Sequence, residues 1–459
     1  MNQPADWPNS WDAETVIAAQ PANAKAQGRV GVVVVALLQP TRFETSFTEN
    51  FVKKLFEIAI PWPVNKLAAR DTGVALIDPT RPDEQTRFTP QSLMAFDGRT
   101  VDWDGVPFAE KYRRGEVEWV PPSDSTDGDI GTFRYSGRNG GTSGVAQRAM
   151  LKARAIYYAR LPGGLLPQRE QTLAMTSAAF AKISAHPAVK ASAVFDVFAP
   201  YDARRELYRV LDAGVDTLVV ASALPIHSSF EEYKGAFPKL YHMVEDWAAA
   251  RGKPAPKLLF APQMGDMPGY AKLWADHLAA TAPPPPAANA TATLILSLHG
   301  LPIRQLPRDR WEQNAQSATA RLIPALQAAM HARGWAKITT YTAQEAFADS
   351  MEDPANKLLS VSEAFALSRS RKDAIAIAVP VEFLSENTDT LFLHAYLMFN
   401  GLPGYQRFQG PPADTDWNQP YIRRYSKEGT LHMHIGTPGG IAQPQAGAVL
   451  ASAIEARLP

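Results

Sequence analysis

Apolar and polar residues alternate along most of the chain in blocks that predict strands and helices in turn. Short apolar or β-branched runs are followed by longer stretches in which apolar residues recur every three or four positions. The runs that predict strands are residues 30–38, 191–198, 217–223, 257–260, 293–296, 336–341 and 374–381. The stretches that predict helices are residues 145–160, 173–183, 202–213, 237–251, 270–280, 316–333, 360–367 and 386–399. Strands that alternate with helices indicate right-handed parallel βαβ units.

This alternation predicts an α/β protein with two similar Rossmann-like lobes, whose parallel sheets face a central cleft. We assign residues 29–280 to an N-terminal lobe and residues 290–459 to a C-terminal lobe. The proline-rich stretch 281–288 is either an interdomain linker or a helix-to-strand loop, because the alternation continues across it. Residues 1–28 are a polar segment that could be disordered. Residues 42–138 resist assignment, and two interpretations stay open, a lip over the cleft or a membrane-facing surface.

Composition excludes several classes of partner and cofactor. The 459 residues include 46 basic and 46 acidic side chains, so the formal net charge is zero and no nucleic-acid partner is expected. The absence of cysteine excludes disulfides, thiolate ligands and a cysteine-held iron–sulfur cluster. Residues 1–28 lack the pattern of a secretory signal, and the longest apolar run, 30–38, is too short to span a bilayer. We therefore expect a cytoplasmic protein with at most peripheral membrane contact.

Candidate chemistry follows two of the predicted strands at their carboxyl ends, where open α/β sheets place their ligands. His299 comes directly after the strand that begins at residue 293, and its imidazole can bind a metal or accept a proton near neutral pH. The strand 374–381 is followed by three carboxylates, those of Glu382, Glu386 and Asp389. A histidine at one strand end and carboxylates at another predict a metal-handling cleft between two lobes.

Three segments resemble the ferrochelatase family, two-lobed α/β enzymes that insert ferrous iron into protoporphyrin. Leu-Ser-Leu-His-Gly-Leu-Pro at 296–302 is similar to the family's Ser-Ala-His-Gly/Ser-Leu-Pro. Val-Pro-Val-Glu-Phe-Leu-Ser-Glu-Asn-Thr-Asp-Thr-Leu-Phe at 379–392 is similar to its Val-Pro-Ile-Gly-Phe-x-Ser-Asp-His-x-Glu-Thr-Leu-Tyr. The strand 214–220, with Leu-Pro-Ile-His-Ser-Ser at 224–229, looks like its Leu-Tyr-Pro-Gln-Tyr-Ser region. The resemblance covers about residues 140–400 and implies the chelatase fold.

The resemblance also implies a lyase of haem biosynthesis that forms protohaem, with Fe²⁺ and a porphyrin as substrates and no permanently bound cofactor. His299 matches the family's histidine that binds the incoming metal or takes a pyrrole proton, and Asp389 stands where the family has a glutamate facing it. His227, at a position usually held by tyrosine, is a further candidate metal ligand. The candidate substrate contacts are Pro225, Leu301, Pro302, Phe383 and Glu386. No oligomeric state is predicted.

Several residues depart from the family pattern and keep other functions open. Asn387 replaces a second histidine, Asp389 is one methylene shorter than glutamate, and Leu393 and Leu397 stand where the family carries carboxylates. Glu382 and Glu386 are extra acids that either compensate or line the cleft rim. The alternatives are a cobalt or nickel chelatase acting on another tetrapyrrole, and a porphyrin- or haem-binding homologue without catalysis.

Structural interpretations also stay open for the candidate side chains. His299 could be a strand-terminal histidine capped by backbone, Asp389 a first-turn helix acid favoured by the helix dipole, and His227 a loop residue. His394, five residues beyond Asp389 on the same predicted helix, is expected to point elsewhere. The pair His432 and His434 lies on one face of a predicted strand, either as a structural element or as a surface pair.

Overall fold

A computed structural model describes residues 13–44, 73–74, 88–95, 106–121, 132–135, 153–300, 311–345, 358–406, 408–440 and 443–459. The strands in these ranges are β1 Val30–Ala36, β2 Gly73–Val74, β3 Val117–Val120, β4 Thr132–Tyr135, β5 Val189–Asp196, β6 Thr217–Ser222, β7 Lys257–Phe260, β8 Thr291–Leu298, β9 Lys337–Gln344, β10 Leu359–Ser360, β11 Ile375–Val379, β12 Ile422–Lys427 and β13 Thr430–Ile435. The α-helices are α1 Ala13–Ala19, α2 Pro90–Ala95, α3 Phe108–Arg113, α4 Gln168–Ile183, α5 Pro200–Asp212, α6 Phe237–Arg251, α7 Pro268–Thr281, α8 Trp311–Ala332, α9 Val361–Ser370, α10 His394–Phe399 and α11 Gln443–Glu455. Two π-helical segments, Ser229–Ala236 and Asp389–Leu393, directly precede α6 and α10.

The first lobe is built on a parallel sheet with the strand order β5-β1-β6-β7. Every residue of β1 is buried, because successive side chains point to opposite faces and both faces are covered. Val32 and Val34 pack on one face, and Val33 and Val35 on the other. A near-continuous valine run is therefore what a doubly covered central strand requires.

The second lobe has a six-stranded sheet with the order β10-β9-β8-β11-β13-β12, parallel except for β12. The strands β12 and β13 form a hairpin, in which Glu428 and Gly429 adopt positive φ angles of 54° and 82°. Two successive positive φ angles match the twist of a two-residue hairpin turn. The predicted α/β class with two Rossmann-like, parallel-sheet lobes is confirmed.

The two lobes share one hydrophobic core. A single cluster of contacting buried side chains includes Val32 of β1, Trp274 of α7, Leu294 of β8 and Leu450 of α11. The final helix, α11, packs against α4 of the first lobe. Beyond it, the Arg457 guanidinium donates from Nε to the Phe260 carbonyl at 2.7 Å. The last elements of the chain therefore close the first lobe.

The described parts of residues 1–28 and 42–138 also contain ordered elements. Helix α1 packs Val16 and Ile17 against the core of the first lobe. Strands β2, β4 and β3 form an antiparallel sheet, packed with α2 and α3 around Phe88, Phe108 and Phe133. In the part of the chain that the structure describes, no helix is both long and apolar enough to cross a bilayer.

Gly447 allows α11 to approach α4 closely, so Gly447→Ala tests the contact that closes the first lobe. A Cβ atom at this position would lie 2.6 Å from the Ala178 Cβ and 2.7 Å from the Met175 carbonyl oxygen. We expect a loss of about 2 kcal/mol in the free energy of unfolding by urea, because overpacking outweighs the better helix propensity of alanine. The control Ala448→Leu adds bulk to the exposed side of the same turn and should change stability by less than about 0.5 kcal/mol. Equal effects of the two substitutions would contradict the close contact.

Candidate functional site

The backbone at His299 is fixed by a carboxylate from the neighbouring strand end. His299 directly follows β8, and its N–H donates to Glu382 Oε2 at 2.6 Å. The Trp311 indole N–H, at the start of α8, donates to the other carboxylate oxygen of Glu382. Burial raises the pKa of Glu382. Glu382 therefore ties the ends of β8 and β11 to α8, whereas the sequence left open whether it compensates for lost site residues or lines the cleft rim.

The imidazole of His299 belongs to a group of three mutually contacting rings, and the other two, His394 and Phe383, have centroids 5.7 Å apart. The His394 ring stacks beside the His299 imidazole, with centroids 5.8 Å apart and planes inclined by 30°, and the Phe383 ring contacts the imidazole edge-on at 6.0 Å. The expectation that His394 points away from the site is wrong, and the reason is the π-helical segment. In an α-helix a residue five positions on lies about 140° around the axis. In a π-helix the i→i+5 hydrogen bond places it one turn above, and the His394 N–H donates to the Asp389 carbonyl.

A buried carboxyl–imidazole pair lies behind His299. The Glu345 carboxyl group contacts His394 Nε2 and accepts from the Ser297 hydroxyl, and both side chains of the pair are fully buried. Burial raises the pKa of Glu345 well above its usual range, and the carboxylates of Glu382 and Asp389 raise it further. Burial lowers the pKa of His394 well below its usual range, and His299 and His434 add to the effect. Both directions favour the uncharged forms of the two side chains.

The sequence did not predict a role for His394 or for Glu345, although one signal pointed to Glu345. It follows β9 directly, and β9 lies beside β8 in the same parallel sheet. The carboxyl ends of parallel strands meet at one edge of a sheet. The predicted strand ended at residue 341, three residues short of Gln344, and so did not bring Glu345 to that edge.

Asp389 opens the π-helical segment and is paired with an arginine. Its Oδ1 lies 3.4 Å from Nη2 of Arg154, and the two side chains are 16% and 12% exposed. The Asn387 Oδ1 accepts the backbone N–H groups of Asp389 at 2.8 Å and of Thr390 at 3.0 Å. Asn387, which stands where the family has a histidine, thus caps the segment that carries Asp389. His394 connects Asp389 to His299. Its backbone N–H donates to the Asp389 carbonyl, and its ring contacts the His299 ring.

Glu386 is buried among hydrogen-bond donors. The Thr390 hydroxyl donates to its Oε2 at 2.6 Å, and the Thr437 N–H donates to its Oε1 at 2.6 Å. Burial outweighs these bonds and raises the pKa of Glu386 to about 7. The carboxylate predicted as a substrate contact therefore connects the π-helical segment to the loop after β13.

The raised pKa of Glu386 predicts that the folded protein loses stability as the pH rises. Between about pH 4.5 and pH 7 the folded protein keeps a proton that the unfolded chain releases, so rising pH favours unfolding. Relative to Glu386→Gln, the wild type should lose about 3 kcal/mol across this window in urea unfolding. The control Glu206→Gln removes an acid whose pKa is lowered by Arg209. It should give a small difference of opposite sign. A pH-independent difference for Glu386→Gln would contradict the burial argument.

His227 occupies a separate aromatic environment in the first lobe. Its ring contacts the rings of Tyr233 and Phe237 edge-on. The backbone N–H of His227 donates to Gln263 Oε1 at 3.1 Å. Its carbonyl accepts from the Asn314 side chain of α8 at 2.7 Å. Burial lowers the pKa of His227 to about 4. Among the described residues no group of three or more His, Asp or Glu side chains could hold a metal ion, so His227 does not join His299 and Asp389 in one coordination group.

The remaining candidates lie at varied places. The Pro225 carbonyl accepts from the Gly265 N–H at 2.8 Å, whereas Leu301 and Pro302 fall outside the described residues. His432 and His434 are buried on β13, so the strand is structural and the idea of a surface pair is wrong. The His432 ring stacks on Phe365 with centroids 4.6 Å apart. Burial lowers the pKa of His432 to about 4 and that of His434 to about 3.

Comparison with known proteins finds a match to the family that the motifs indicated. Residues 142–362 match the family model Ferrochelatase, so the resemblance stated from the sequence is confirmed over that region. His227 and His299 lie inside the matched region, and Asp389 lies beyond it. The match supports a metal-chelatase-like function. A search of curated proteins finds no match.

Several solved structures are similar to parts of this chain. DR2241 from Deinococcus radiodurans is described as a multi-domain protein with structural similarity to chelatases and two additional novel domains. It is 14% identical over 62% of this chain and 50% of that chain, with a TM-score of 0.32. This chain thus spans half of that structure's length. A periplasmic ribose ABC transporter from Conexibacter woesei is 13% identical over 45% of this chain and 59% of that one, with a TM-score of 0.22. A LacI-type transcriptional regulator from Bacteroides fragilis is 15% identical over 48% of this chain and 67% of that one, with a TM-score of 0.18.

Proposed function

We propose that this chain inserts Fe²⁺ into protoporphyrin to give protohaem, as a ferrochelatase-type lyase of haem biosynthesis. The observation that carries the proposal is the position of His299. It lies at the carboxyl end of β8, within the region that matches the Ferrochelatase family, with its backbone fixed by Glu382 and its ring in contact with the rings of His394 and Phe383.

The reaction requires two proton acceptors and a place for the incoming ion. Two pyrrole N–H protons must leave the macrocycle as Fe²⁺ enters, and a neutral imidazole can take one of them near pH 7. In our proposal His299 and Asp389 bind the incoming ion, and as the ion passes to the macrocycle one pyrrole proton goes to His299 and the other to the Asp389 carboxylate. The ion pair of Asp389 with Arg154 must open for both steps, because the guanidinium lies 3.4 Å from Oδ1. The Phe383 ring beside His299 is available as an apolar contact for the flat substrate.

A porphyrin- or haem-binding protein without catalysis is the second candidate, and the Arg154–Asp389 pair favours it. An arginine stays protonated at all ordinary pH values, so it competes with an incoming cation for the carboxylate. Asn387 caps a helical segment and supplies no base, although the family has a histidine at that position. A cobalt or nickel chelatase also stays open, since imidazole and carboxylate do not discriminate among these ions.

Anaerobic assays with purified protein separate these functions. Protoporphyrin is mixed in turn with Fe²⁺, Co²⁺, Ni²⁺ and Zn²⁺, and the Soret and Q bands report metal insertion. We expect catalysed insertion with Fe²⁺, at a rate that rises in proportion to protein concentration. Insertion only with Co²⁺ or Ni²⁺ would replace the metal in the proposal. Tight porphyrin binding without insertion of any ion would replace the enzyme with the binding protein.

A further inference from the structure

The loop that carries Asp389 is held by side chains of the first lobe. The Thr172 hydroxyl donates to Ser385 Oγ at 2.9 Å, and the Gln171 side-chain oxygen accepts the Glu386 N–H at 2.8 Å. The Gln39 side-chain oxygen accepts both the N–H of Thr388, at 3.3 Å, and its hydroxyl, at 3.2 Å. Three residues of the loop, immediately before Asp389, are therefore docked on the opposite lobe.

Gln39 is itself fixed within the first lobe. Its backbone N–H donates to Gln168 Oε1 at 2.6 Å, and Gln168 Nε2 donates back to the Leu37 carbonyl at 2.8 Å. Gln39, Gln168, Gln171 and Thr172 are all buried. Three of them lie on one turn of α4, where residues three and four apart share a face. The docking surface is made of uncharged amides and a hydroxyl, whose hydrogen-bonding groups do not titrate.

His299 and Asp389 are therefore positioned by different parts of the molecule. His299 continues β8 and is fixed within the second lobe through Glu382. The backbone before Asp389 is fixed to the first lobe through Gln39. We propose that Gln39 is a positioning residue that sets the location of Asp389 relative to His299 by holding Thr388. This inference rests on the proposed function, in which Asp389 and His299 act on the same substrate.

The test uses Gln39→Met, which keeps the side-chain length and removes the acceptor, and Thr388→Val, which removes one of its donors. Each variant should lower kcat for metal insertion by about tenfold with little change in the KM for porphyrin, because small displacements of an acting group lower the rate more than binding. The double variant should be no slower than Gln39→Met alone, since Gln39→Met already removes the acceptor of both Thr388 donors. The control Gln20→Met removes a similar bond, in which Gln20 Oε1 accepts the Phe260 N–H at 3.0 Å within the first lobe. It should lower stability and leave kcat unchanged.

A second readout does not depend on activity. In hydrogen–deuterium exchange, Gln39→Met should speed amide exchange by about tenfold in a peptide covering residues 385–391, and Gln20→Met should not. If the wild type inserts no metal, this measurement alone decides whether Gln39 holds the loop. A normal kcat in Gln39→Met, multiplicative effects in the double variant, or unchanged exchange in residues 385–391 would each overturn the inference.

Discussion

Replacing His299 with alanine should lower the rate of metal insertion by a factor of about 10²–10⁴, the range expected when a positioned base is removed. The fold should survive, because the bond that fixes this residue uses the backbone N–H, which alanine retains toward Glu382 Oε2. Porphyrin binding, measured by fluorescence quenching, should change little because the Phe383 ring stays in place. The expected variant is a folded protein that binds the macrocycle and fails to metallate it.

A second histidine substitution, outside the site, shows whether the loss of metal insertion is specific to His299. His242 lies on α6 of the first lobe with its ring 3.4 Å from the Glu245 carboxylate, and its side chain is 31% exposed. His242→Ala should insert metal at the wild-type rate. Insertion by His299→Ala at more than about a third of that rate would exclude His299 as the acting base.

The second large effect is expected from His394→Leu. Leucine removes the partner of the Glu345 carboxyl group and leaves it with the Ser297 hydroxyl alone. A buried polar group that loses its partner destabilises the fold, here by about 2–3 kcal/mol in urea unfolding. The same change removes the ring beside His299, so we expect kcat to fall by about tenfold as well.

The double variant His394→Leu with Glu345→Leu separates these two effects. Replacing both partners by apolar groups is often close to neutral, so most of the lost stability should return. Activity should stay low, because the imidazole beside His299 is still missing. Recovery of both stability and activity would mean that the pair matters only for packing. Recovery of neither would mean that Glu345 has partners beyond His394 and Ser297.

The sequence predicted the central parallel strands of the two lobes and the position of His299 because both depend on local signals. Central strands such as β1 and β8 are continuous apolar runs, and a parallel sheet covered on both faces needs such runs. The order of strands and helices then brings the carboxyl ends of β8 and β11 to one edge. His299 and Glu382 could be placed near one another on these grounds alone.

The partners of His299 were harder to predict because their position depends on irregular backbone. A regular helix over residues 386–399 would turn His394 away from Asp389, and nothing in the local composition marks the π-helical turn that aligns them. Thr342 and Gln344 make the end of β9 polar, so the apolar pattern that predicted this strand ended before it reached Glu345. The role of Gln39 depends on residues more than 300 positions away in the chain, and no local pattern encodes it.

The closure of the first lobe by α11 sets an order for folding during synthesis. The first sheet and its helices are complete once α7 has left the ribosome, yet α4 still lacks the helix that covers it. At usual elongation rates roughly ten to thirty seconds pass before α11 is made. During that interval the apolar surface of α4 around Met175 and Ala179, buried in the finished protein, is open to chaperones or to its neighbours on a polysome. The newly made chain should therefore depend on chaperones most strongly while its second lobe is being translated.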